Sequence, residues 1–256
     1  MEAFEEKVGK IMSKIKNFVR KIIYGYKADS KSYEEYLKKI GVSIGENFKI
    51  YYPSNTVIDL QNPYLLKIGN NVSLTGPVTI MTHDYSWKVF KIMDGRILGN
   101  QRPVLIGNNV FIGWGATILS GAVIEDNVII GAGAVITSRC EKNSVYAGSP
   151  AKRIMSIDEF IAKRERKQVK EAQDLFMYYK ETYNEEPPMN IFDSYFPIFT
   201  SNENIGEICN TFENRLKLEN TEELSIDYLK QGHNQFSSYE EFRESVRSIE
   251  ENKKND

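Results

Sequence analysis

Between Ile106 and Glu141 the chain consists of six consecutive six-residue units, and each unit begins with isoleucine. The units read IGNNVF, IGWGAT, ILSGAV, IEDNVI, IGAGAV and ITSRCE, and a shorter series in the same register starts at Ile68. A helix would repeat its apolar positions about every 3.6 residues, and a half-buried strand every second residue. A six-residue period instead predicts one short strand and one turn per unit. Three units then close a triangular coil of about 18 residues, and stacked coils form a solenoid.

The leading isoleucines are predicted to point into this coil, where parallel strands of successive coils stack them in columns. The fifth residue of each unit is small or slim, which we interpret as suiting a tight corner. These residues are Val110, Ala116, Ala122, Val128, Ala134 and Cys140. Cys140 is therefore interpreted as a small buried residue rather than a reactive thiol.

One segment, Ser86–Pro103, leaves the repeat. It follows closely on Asp84, which falls at an inward position where an unpaired carboxylate would be costly. The coil is therefore predicted to open at this point. A loop of this length in a compact domain is uncommon and usually functional. It follows His83, the one histidine in the repeat region.

Composition excludes several classes of protein. The net charge of -2 is divided unevenly: residues 1–41 carry +4, residues 42–155 carry +3 and residues 156–256 carry -9. No segment is basic enough over its length to predict nucleic-acid binding. The apolar stretches fall short of the roughly 20 residues that a membrane span needs. The acidic start and the two widely separated cysteines favour a reduced, cytoplasmic protein without a signal peptide.

The pattern divides the chain into three segments. Residues 1–40 form an N-terminal helical segment, with an amphipathic helix over 4–26 and a short helix over 33–40. Residues 41–155 form the solenoid, with the excursion loop at 86–103. Residues 156–256 form a helical C-terminal extension that begins at a capping box, Ser156 to Glu159. One residue in three from Phe176 to Phe199 is aromatic, so this part of the extension is expected to pack against something.

The N-terminal helix has two interpretations, which the sequence leaves open. From Lys7 to Lys27 it has seven basic residues and no acidic one, and an apolar stripe follows a 3-4 spacing. The stripe could pack on the solenoid or on other copies of the chain. Alternatively, the helix could contact an anionic membrane surface, which would place the protein at the inner face of the membrane.

Besides the repeat, three sequence features resemble those of a known protein family. They are the histidine in IMTHDYS, the excursion of roughly twenty residues before VLIGNNVFIG, and the closing AGSPAKRI at 147–154. Together with the repeat, they resemble the hexapeptide-repeat acyltransferases, and most closely the sugar and polysaccharide O-acetyltransferases. The resemblance covers about 41–155. It implies a mainly β fold, a left-handed parallel β-helix, and a homotrimer.

The resemblance implies acyl transfer from a thioester, acetyl-CoA, to a hydroxyl group. This reaction needs a base near the hydroxyl and donors for the developing oxyanion, and no metal. His83 is the natural general base, whereas His233 lies in no supporting pattern. Two partners for His83 remain open. Asp84 is adjacent, although neighbouring strand side chains point to opposite faces. Asp59 lies about one coil earlier and could approach from a neighbouring chain.

The resemblance also implies that coenzyme A lies along a groove between adjacent solenoids. The matching positions are Gly113, Trp114, Ala132, Thr137, Lys152 and Arg153. Trp114 stands where relatives commonly have a small polar residue, and it could stack on a substrate ring or narrow the groove. Lys152 and Arg153 could meet the donor's phosphates or simply form a solvated end. Tyr85 and Trp87, next to His83, are the candidate acceptor contacts.

The sequence therefore predicts an acetyl-CoA-dependent O-acetyltransferase acting on a sugar or polysaccharide of the capsule or surface-glycan type, by direct transfer. Two alternatives remain. One is N-acyl or other small-molecule acetyl transfer on the same fold. The other is a non-catalytic solenoid scaffold, which predicts no role for His83.

Overall fold

The computed structural model describes residues 12, 15–16 and 18–255. The chain divides into two compact units, Met1–Phe160 and Ile161–Asp256. The first unit holds the repeat and all of the strands that the described residues form. The predicted helix over 4–26 lies partly outside the described residues, and within the described part residues 18–24 are helical.

The described part of the first unit contains seventeen short strands, mostly of two or three residues. They are β1 (Ser43–Ile44), β2 (Lys49–Ile50), β3 (Val57–Ile58), β4 (Leu66–Ile68), β5 (Val72–Leu74), β6 (Thr79–Ile80), β7 (His83–Asp84), β8 (Asn100–Gln101), β9 (Val104–Ile106), β10 (Val110–Ile112), β11 (Thr117–Ile118), β12 (Val123–Ile124), β13 (Val128–Ile130), β14 (Val135–Ile136), β15 (Arg139–Cys140), β16 (Ser144–Ala147) and β17 (Lys152–Ser156).

Fifteen of these strands alternate among three sheets, and β7 and β8 form a separate two-stranded sheet. The first has the order β1-β4-β9-β12-β15, the second has β17-β16-β13-β10-β5-β2, and the third has β14-β11-β6-β3. Neighbouring strands pair in parallel, except β16 with β17, which are antiparallel. The chain therefore winds as a three-sided parallel coil, as the period predicts.

The register measures the length of each turn. Val110 pairs with Val128, and Thr117 pairs with Val135, so one complete turn in the repeat takes three six-residue units. Val72 pairs with Val110, so the turn that contains the excursion is about twice as long as a regular turn. In the first turn Lys49 pairs with Ser73, which makes that turn one unit longer than a regular turn. The excursion predicted at 86–103 thus leaves the strand register on either side intact.

The interior of the coil is aliphatic. The leading isoleucines from Ile106 to Ile136 are at most 4% exposed. The fifth residues of the units are also at most 2% exposed, and each lies in a strand or directly before one. Our interpretation of these fifth residues as corner residues was wrong. The first five point inward two positions before the leading aliphatic, as the two-residue alternation of a strand requires, whereas Cys140 pairs with Ile124 and takes the leading position itself. Burial raises the pKa of the Cys140 thiol to about 12.

One row of corners is formed by asparagines in the left-handed region, at Asn47, Asn71, Asn109, Asn127 and Asn143, with φ between 53° and 57°. Asparagine tolerates this region better than other residues with a side chain. The side-chain amide of each of the first four asparagines donates to the side-chain Oδ1 atom of the next asparagine in the row, at 2.8 to 3.0 Å. This ladder ties the coils together at one edge of the prism.

The helices of the first unit lie at its N-terminal end and in the excursion. Helix α1 (Ser30–Ile40) begins at Asp29, whose carboxylate accepts from the Ser32 amide, and ends at Gly41 with φ 111°. Helix α2 (Trp87–Asp94) occupies the excursion. Short 3-10 turns lie at Gly25–Lys27, Pro53–Asn55 and Pro63–Leu65.

Helix α3 (Ile157–Tyr183) begins at the predicted capping box. The Ser156 amide donates to the Glu159 carboxylate, and the Glu159 amide donates to the Ser156 hydroxyl. The second unit continues with α4 (Ile205–Thr211), α5 (Glu213–Leu216), α6 (Glu222–Lys230) and α7 (Tyr239–Asn255), and with 3-10 turns at Met189–Phe192, Phe196–Phe199 and Leu218–Asn220.

The core of the second unit is aromatic. Phe192 lies at its centre, with ring centroids 5.3 to 6.4 Å from those of Phe176, Phe199, Tyr239 and Phe242. The four phenylalanines of the segment from Phe176 to Phe199 therefore pack within this unit, as its composition predicts, whereas Tyr178 and Tyr183 are exposed. Among the residues that the structure describes, no helix has the length and apolar content needed to cross a membrane.

Candidate active site

His83 and Asp59 form a hydrogen-bonded pair within one chain. His83 lies in β7, directly after the third sheet, and Asp59 follows β3 of that sheet one turn earlier. The Nδ1 atom of His83 contacts the Oδ2 atom of Asp59, and the two side chains are only 10% and 4% exposed. The backbone amide of Asp59 donates to Ile80, which fixes the aspartate to the strand that leads to His83.

The Asp59 carboxylate is held by several donors. Oδ2 accepts from the Thr82 amide at 2.9 Å and from the Thr82 hydroxyl at 2.7 Å, and Oδ1 accepts from the Gln61 amide at 3.0 Å. Burial by itself would raise the pKa of the Asp59 carboxyl. The hydrogen bonds from Thr82, Gln61 and His83 outweigh burial, so that the pKa lies below its usual value. Asp59 is therefore ionised at neutral pH.

An ionised Asp59 fixes the protonation of the imidazole. Its carboxylate can only accept, so Nδ1 of His83 carries the proton and donates. The neutral ring then has its lone pair on Nε2, which has no hydrogen-bond partner among the described residues. A histidine in this tautomer can accept a proton at Nε2, and the carboxylate stabilises the imidazolium that forms.

The pair borders an open cavity of about 460 Å³. It is lined by Met81, His83, Asp84, Tyr85, Asn100, Arg102, Leu119, Ser120 and Thr137. These residues lie at one edge of the coil, where the third sheet passes into the first. Ser120 is 6% exposed and lies on the next turn of the coil after His83.

Asp84 does not contact His83; it forms the base of the excursion. β7 pairs antiparallel with β8, and His83 lies opposite Gln101. The Asp84 carboxylate accepts from the Ser86 amide and from the side-chain amide of Asn100. These hydrogen bonds lower the pKa of Asp84 to about 2. The structure thus gives the carboxylate a partner at the point where the sequence predicts that the coil opens.

Sequence reasoning missed Asn100 and Arg102. The side-chain Oδ1 atom of Asn100 accepts a hydrogen bond from Nε of Arg102 at 3.1 Å. The guanidinium lies against Gly121, where an added Cβ would come within 2.8 Å of it. The available signal was Asp84 itself. A carboxylate at an inward position needs a hydrogen-bond donor, and the excursion that begins beside it was the nearest source of one.

The predicted acceptor contacts differ in position. Tyr85 lines the cavity, with its ring 4.9 Å from that of His83 at 75°, and its hydroxyl donates to Gln61 at 2.6 Å. Trp87 lies behind Tyr85, with ring centroids 6.1 Å apart, and does not line the cavity. Tyr85 can therefore meet a ligand at His83 directly, whereas Trp87 can act only through Tyr85 or on a larger ligand.

The predicted donor-binding residues fall in three places. Thr137 lines the His83 cavity. Gly113, Trp114 and Ala132 lie at the next edge of the coil, between the second and third sheets. Lys152 and Arg153 are exposed on β17, at the end of the solenoid. Within one chain these residues do not form a single pocket.

Trp114 lies on the turn of the coil that follows the turn of Gly76. Its ring covers Gly76, where an added Cβ would come within 2.4 Å of the indole, and stacks on Tyr52 at 5.5 Å and 28°. The indole is still 55% exposed. Gly113 is equally constrained, because an added Cβ would lie 2.7 Å from the Ala132 amide nitrogen. This edge therefore presents a flat aromatic surface next to closely packed backbone.

A larger cavity of about 660 Å³ lies in the second unit. Its lining is mostly apolar and includes Phe196, Leu216, Leu224 and Tyr228, with no histidine or cysteine among its lining residues. Among the residues that the structure describes, no group of three or more His, Cys, Asp or Glu side chains is placed to hold a metal ion.

A three-sided parallel coil built from six-residue units is the fold expected of a hexapeptide-repeat protein, and comparison with known proteins agrees. The family described as bacterial transferase hexapeptide (six repeats) matches residues 103–138. Protein CapG of Staphylococcus aureus is 37% identical over 130 residues, which are 51% of this chain and 74% of CapG. The chain belongs to the hexapeptide-repeat acetyltransferase family.

Two further similarities lie in the same region. Galactoside O-acetyltransferase of Escherichia coli (strain K12) is 33% identical over 118 residues, which are 46% of this chain and 55% of that protein. The solved structure of a galactoside acetyltransferase in complex with coenzyme A is 25% identical and covers 56% of this chain and 80% of that one, with a TM-score of 0.35. The chain thus spans little more than half the length of the Escherichia coli enzyme.

Proposed function

We propose that the protein transfers an acetyl group from acetyl-CoA to a hydroxyl of a sugar or polysaccharide of the capsule or surface-glycan type. The observation that carries this proposal is the buried Asp59–His83 pair at the edge of an open cavity, with Nε2 of His83 unpartnered among the described residues. Similarity to galactoside O-acetyltransferase supports a sugar hydroxyl as the acceptor.

In the proposed mechanism, Nε2 of His83 accepts the proton of the acceptor hydroxyl as its oxygen attacks the acetyl carbonyl. The thioester supplies the activated acetyl group. Asp59 keeps Nδ1 protonated and stabilises the imidazolium. As the C–S bond breaks, His83 returns the proton to the departing sulfur. Direct transfer needs no covalent intermediate on the protein.

The oxyanion that develops at the acetyl carbonyl needs donors. The cavity offers the hydroxyls of Ser120 and Thr137 and the guanidinium of Arg102, next to His83. We assign the acceptor to the side of Tyr85, because its ring lies against His83 and its hydroxyl is already held by Gln61. The donor is then assigned to the side of Thr137.

The donor site would be completed by a second copy of the chain in a homotrimer with left-handed coils. Two observations support this proposal. Thr137 and Trp114 lie at different edges of one coil. A single donor molecule can therefore contact both positions only in a groove between two coils. In addition, the excursion exposes five apolar side chains to solvent that a neighbouring chain could cover: Val89, Ile92, Met93, Ile97 and Leu98. With acetyl-CoA as the donor, we propose that the reaction takes place in the cytoplasm.

The test is an acetyl-CoA consumption assay with monosaccharide, oligosaccharide and amine acceptors. We expect transfer to hydroxyl acceptors, and a His83→Ala rate that is lower by roughly 10²- to 10⁴-fold. His233→Ala is the matched control, since His233 is exposed and stacks on Tyr228 in the second unit. Unchanged turnover in His83→Ala would refute the mechanism. Transfer to amines alone would identify the N-acyl alternative, and no transfer to either would favour the scaffold. Light scattering checks the trimer.

A further inference from the structure

The N-terminal helix leaves its apolar stripe uncovered. Met12, Ile15, Phe18, Val19, Ile22 and Ile23 are between 45% and 69% exposed, and they follow the 3-4 spacing of one helix face. Neither the repeat core nor the aromatic core includes any of them among its buried or adjoining residues. Soluble proteins seldom leave a continuous apolar stripe of this kind without a partner.

The end of this helix is attached to the first unit. Nε and Nη2 of Arg20 donate to the Ala28 carbonyl at 3.2 and 2.9 Å, and the Lys27 ammonium donates to the Thr56 carbonyl at 2.8 Å. The ring of Tyr26 stacks on Tyr36 of α1, with centroids 3.9 Å apart. The chain that follows the helix is therefore fixed, while the stripe itself is free.

The positive charge of this N-terminal segment indicates which kind of partner covers the stripe. The segment from Lys7 to Lys27 has seven basic residues and no acidic one. At 100° per residue, Lys16 borders the stripe, and Lys21 lies on the opposite side of the helix. Both are exposed. A bundle of such helices from several copies would bring many like charges together without a counter-charge. An anionic lipid surface offers both the counter-charge and an apolar layer.

We propose that this helix binds the surface of an anionic membrane, with its stripe in the acyl boundary and its lysines at the headgroups. The helix lies in the plane of the interface and anchors the first unit there. An acceptor carried on a lipid would then be met at the surface where it is held. This inference is independent of catalysis, because binding requires only residues before Ala28.

The test is co-sedimentation of the full-length protein with vesicles of phosphatidylcholine alone and of phosphatidylcholine with phosphatidylglycerol at three to one. We expect binding to the anionic vesicles that is at least about tenfold tighter and weakens with salt. Ile22→Glu should weaken it by about tenfold or more. The matched control is Leu224→Glu in the second unit, because Ile22 and Leu224 are 69% and 71% exposed.

A second variant separates charge from apolar contact. Lys16→Gln should weaken anionic binding by roughly fivefold, and Lys21→Gln, on the side of the helix opposite the stripe, should weaken it less. The proposal is overturned if the wild-type chain binds neither kind of vesicle, or if Ile22→Glu binds like Leu224→Glu. A change in molecular mass by light scattering in Ile22→Glu, without a change in vesicle binding, would instead show that the stripe joins copies of the chain. Acetyl transfer to a soluble acceptor is measured in parallel, and its failure would leave the vesicle result standing.

Discussion

The two units of this chain bury apolar surface in different ways. In the described part of the first unit, 26 buried residues form the core, and only three of them are aromatic. Each turn of the coil offers room for one aliphatic layer. In the second, six of the twelve buried core residues are phenylalanine. The first core is a column built from one repeated unit, whereas the second is a single cluster around Phe192.

This difference determines where chemistry can be located. In the coil, strand register fixes each side chain relative to the same position one turn away, and Asp59 is held in this way by its backbone hydrogen bond to Ile80, close to His83. The second unit gains its stability from ring packing without such a register. A precise acid–base pair is therefore expected in the first unit, and the predictions below test this separation of roles.

The largest expected effect is on catalysis in the first unit. Asp59→Asn should lower kcat by about 10²- to 10⁴-fold, because an amide no longer holds Nδ1 protonated or stabilises the imidazolium. Asp84→Asn should lower it far less, since Asp84 contacts Ser86 and Asn100 and not the imidazole. Steady-state rates and the pH profile distinguish the two. Equal losses in both variants would remove Asp59 from its positioning role.

The second expectation concerns stability in the second unit. Phe192→Ala should cost about 3–5 kcal/mol of unfolding free energy, because four rings surround this side chain. Denaturant unfolding measures the loss. Tyr183→Ala, at an exposed position near the end of α3, is the control and should cost less than about 1 kcal/mol. Similar losses in the two variants would contradict an aromatic cluster centred on Phe192.

The asparagine ladder offers an intermediate effect in the first unit. Asn109→Ala should cost about 2–3 kcal/mol, because alanine is strained at φ 54° and two amide hydrogen bonds are lost. Asn109→Gly loses the same bonds without the strain, and should cost about 1 kcal/mol less. Chemical unfolding of the pair measures each contribution. A glycine variant that is as unstable as the alanine variant would show that backbone strain plays no part.

The smallest effect depends on pH. Hydrogen bonds from Arg247 and Arg243 outweigh burial and lower the pKa of Glu186 to about 2, against 4.5 for a free glutamate. A depressed folded-state pKa stabilises the protein above pH 4.5, and this contribution is lost as pH falls towards 2. Glu186→Gln should therefore cost roughly 1–2 kcal/mol at pH 7 and almost nothing near pH 2. Glu185→Gln, on the neighbouring exposed carboxylate, is the control. A penalty that does not change with pH would exclude this ion pair as its source.

The repeat allowed most of the first unit to be predicted from sequence. The period predicted the strands from β9 to β15, and the break in the period after Asp84 predicted the excursion, because regular backbone pairing leaves few alternatives. The capping box likewise predicted the start of α3. Helix α2 within the excursion was not predicted. The helix has only eight residues, and the side chain of its N-cap residue, Ser86, forms no capping hydrogen bond.

The site could be predicted only in part. His83 followed from its position at the end of the repeat. The choice between Asp59 and Asp84 did not follow, because it depends on the long first turn, whose extra residues around Pro63 shift Asp59 relative to the period. Asn100 and Arg102 carry no motif of their own. They reach the cavity only because β8 returns antiparallel to β7, and sequence patterns seldom reveal such a pairing.

The excursion also has an evolutionary consequence. Val72 and Val110 remain paired across it, and the buried strands on both sides keep their register with the rest of the coil. Insertions, deletions and substitutions between Tyr85 and Gly99 therefore need not disturb the interior that positions His83. Natural selection can exchange this segment almost independently of the scaffold. Under the proposed function, related chains would acquire different acceptors in this way while retaining the Asp59–His83 pair.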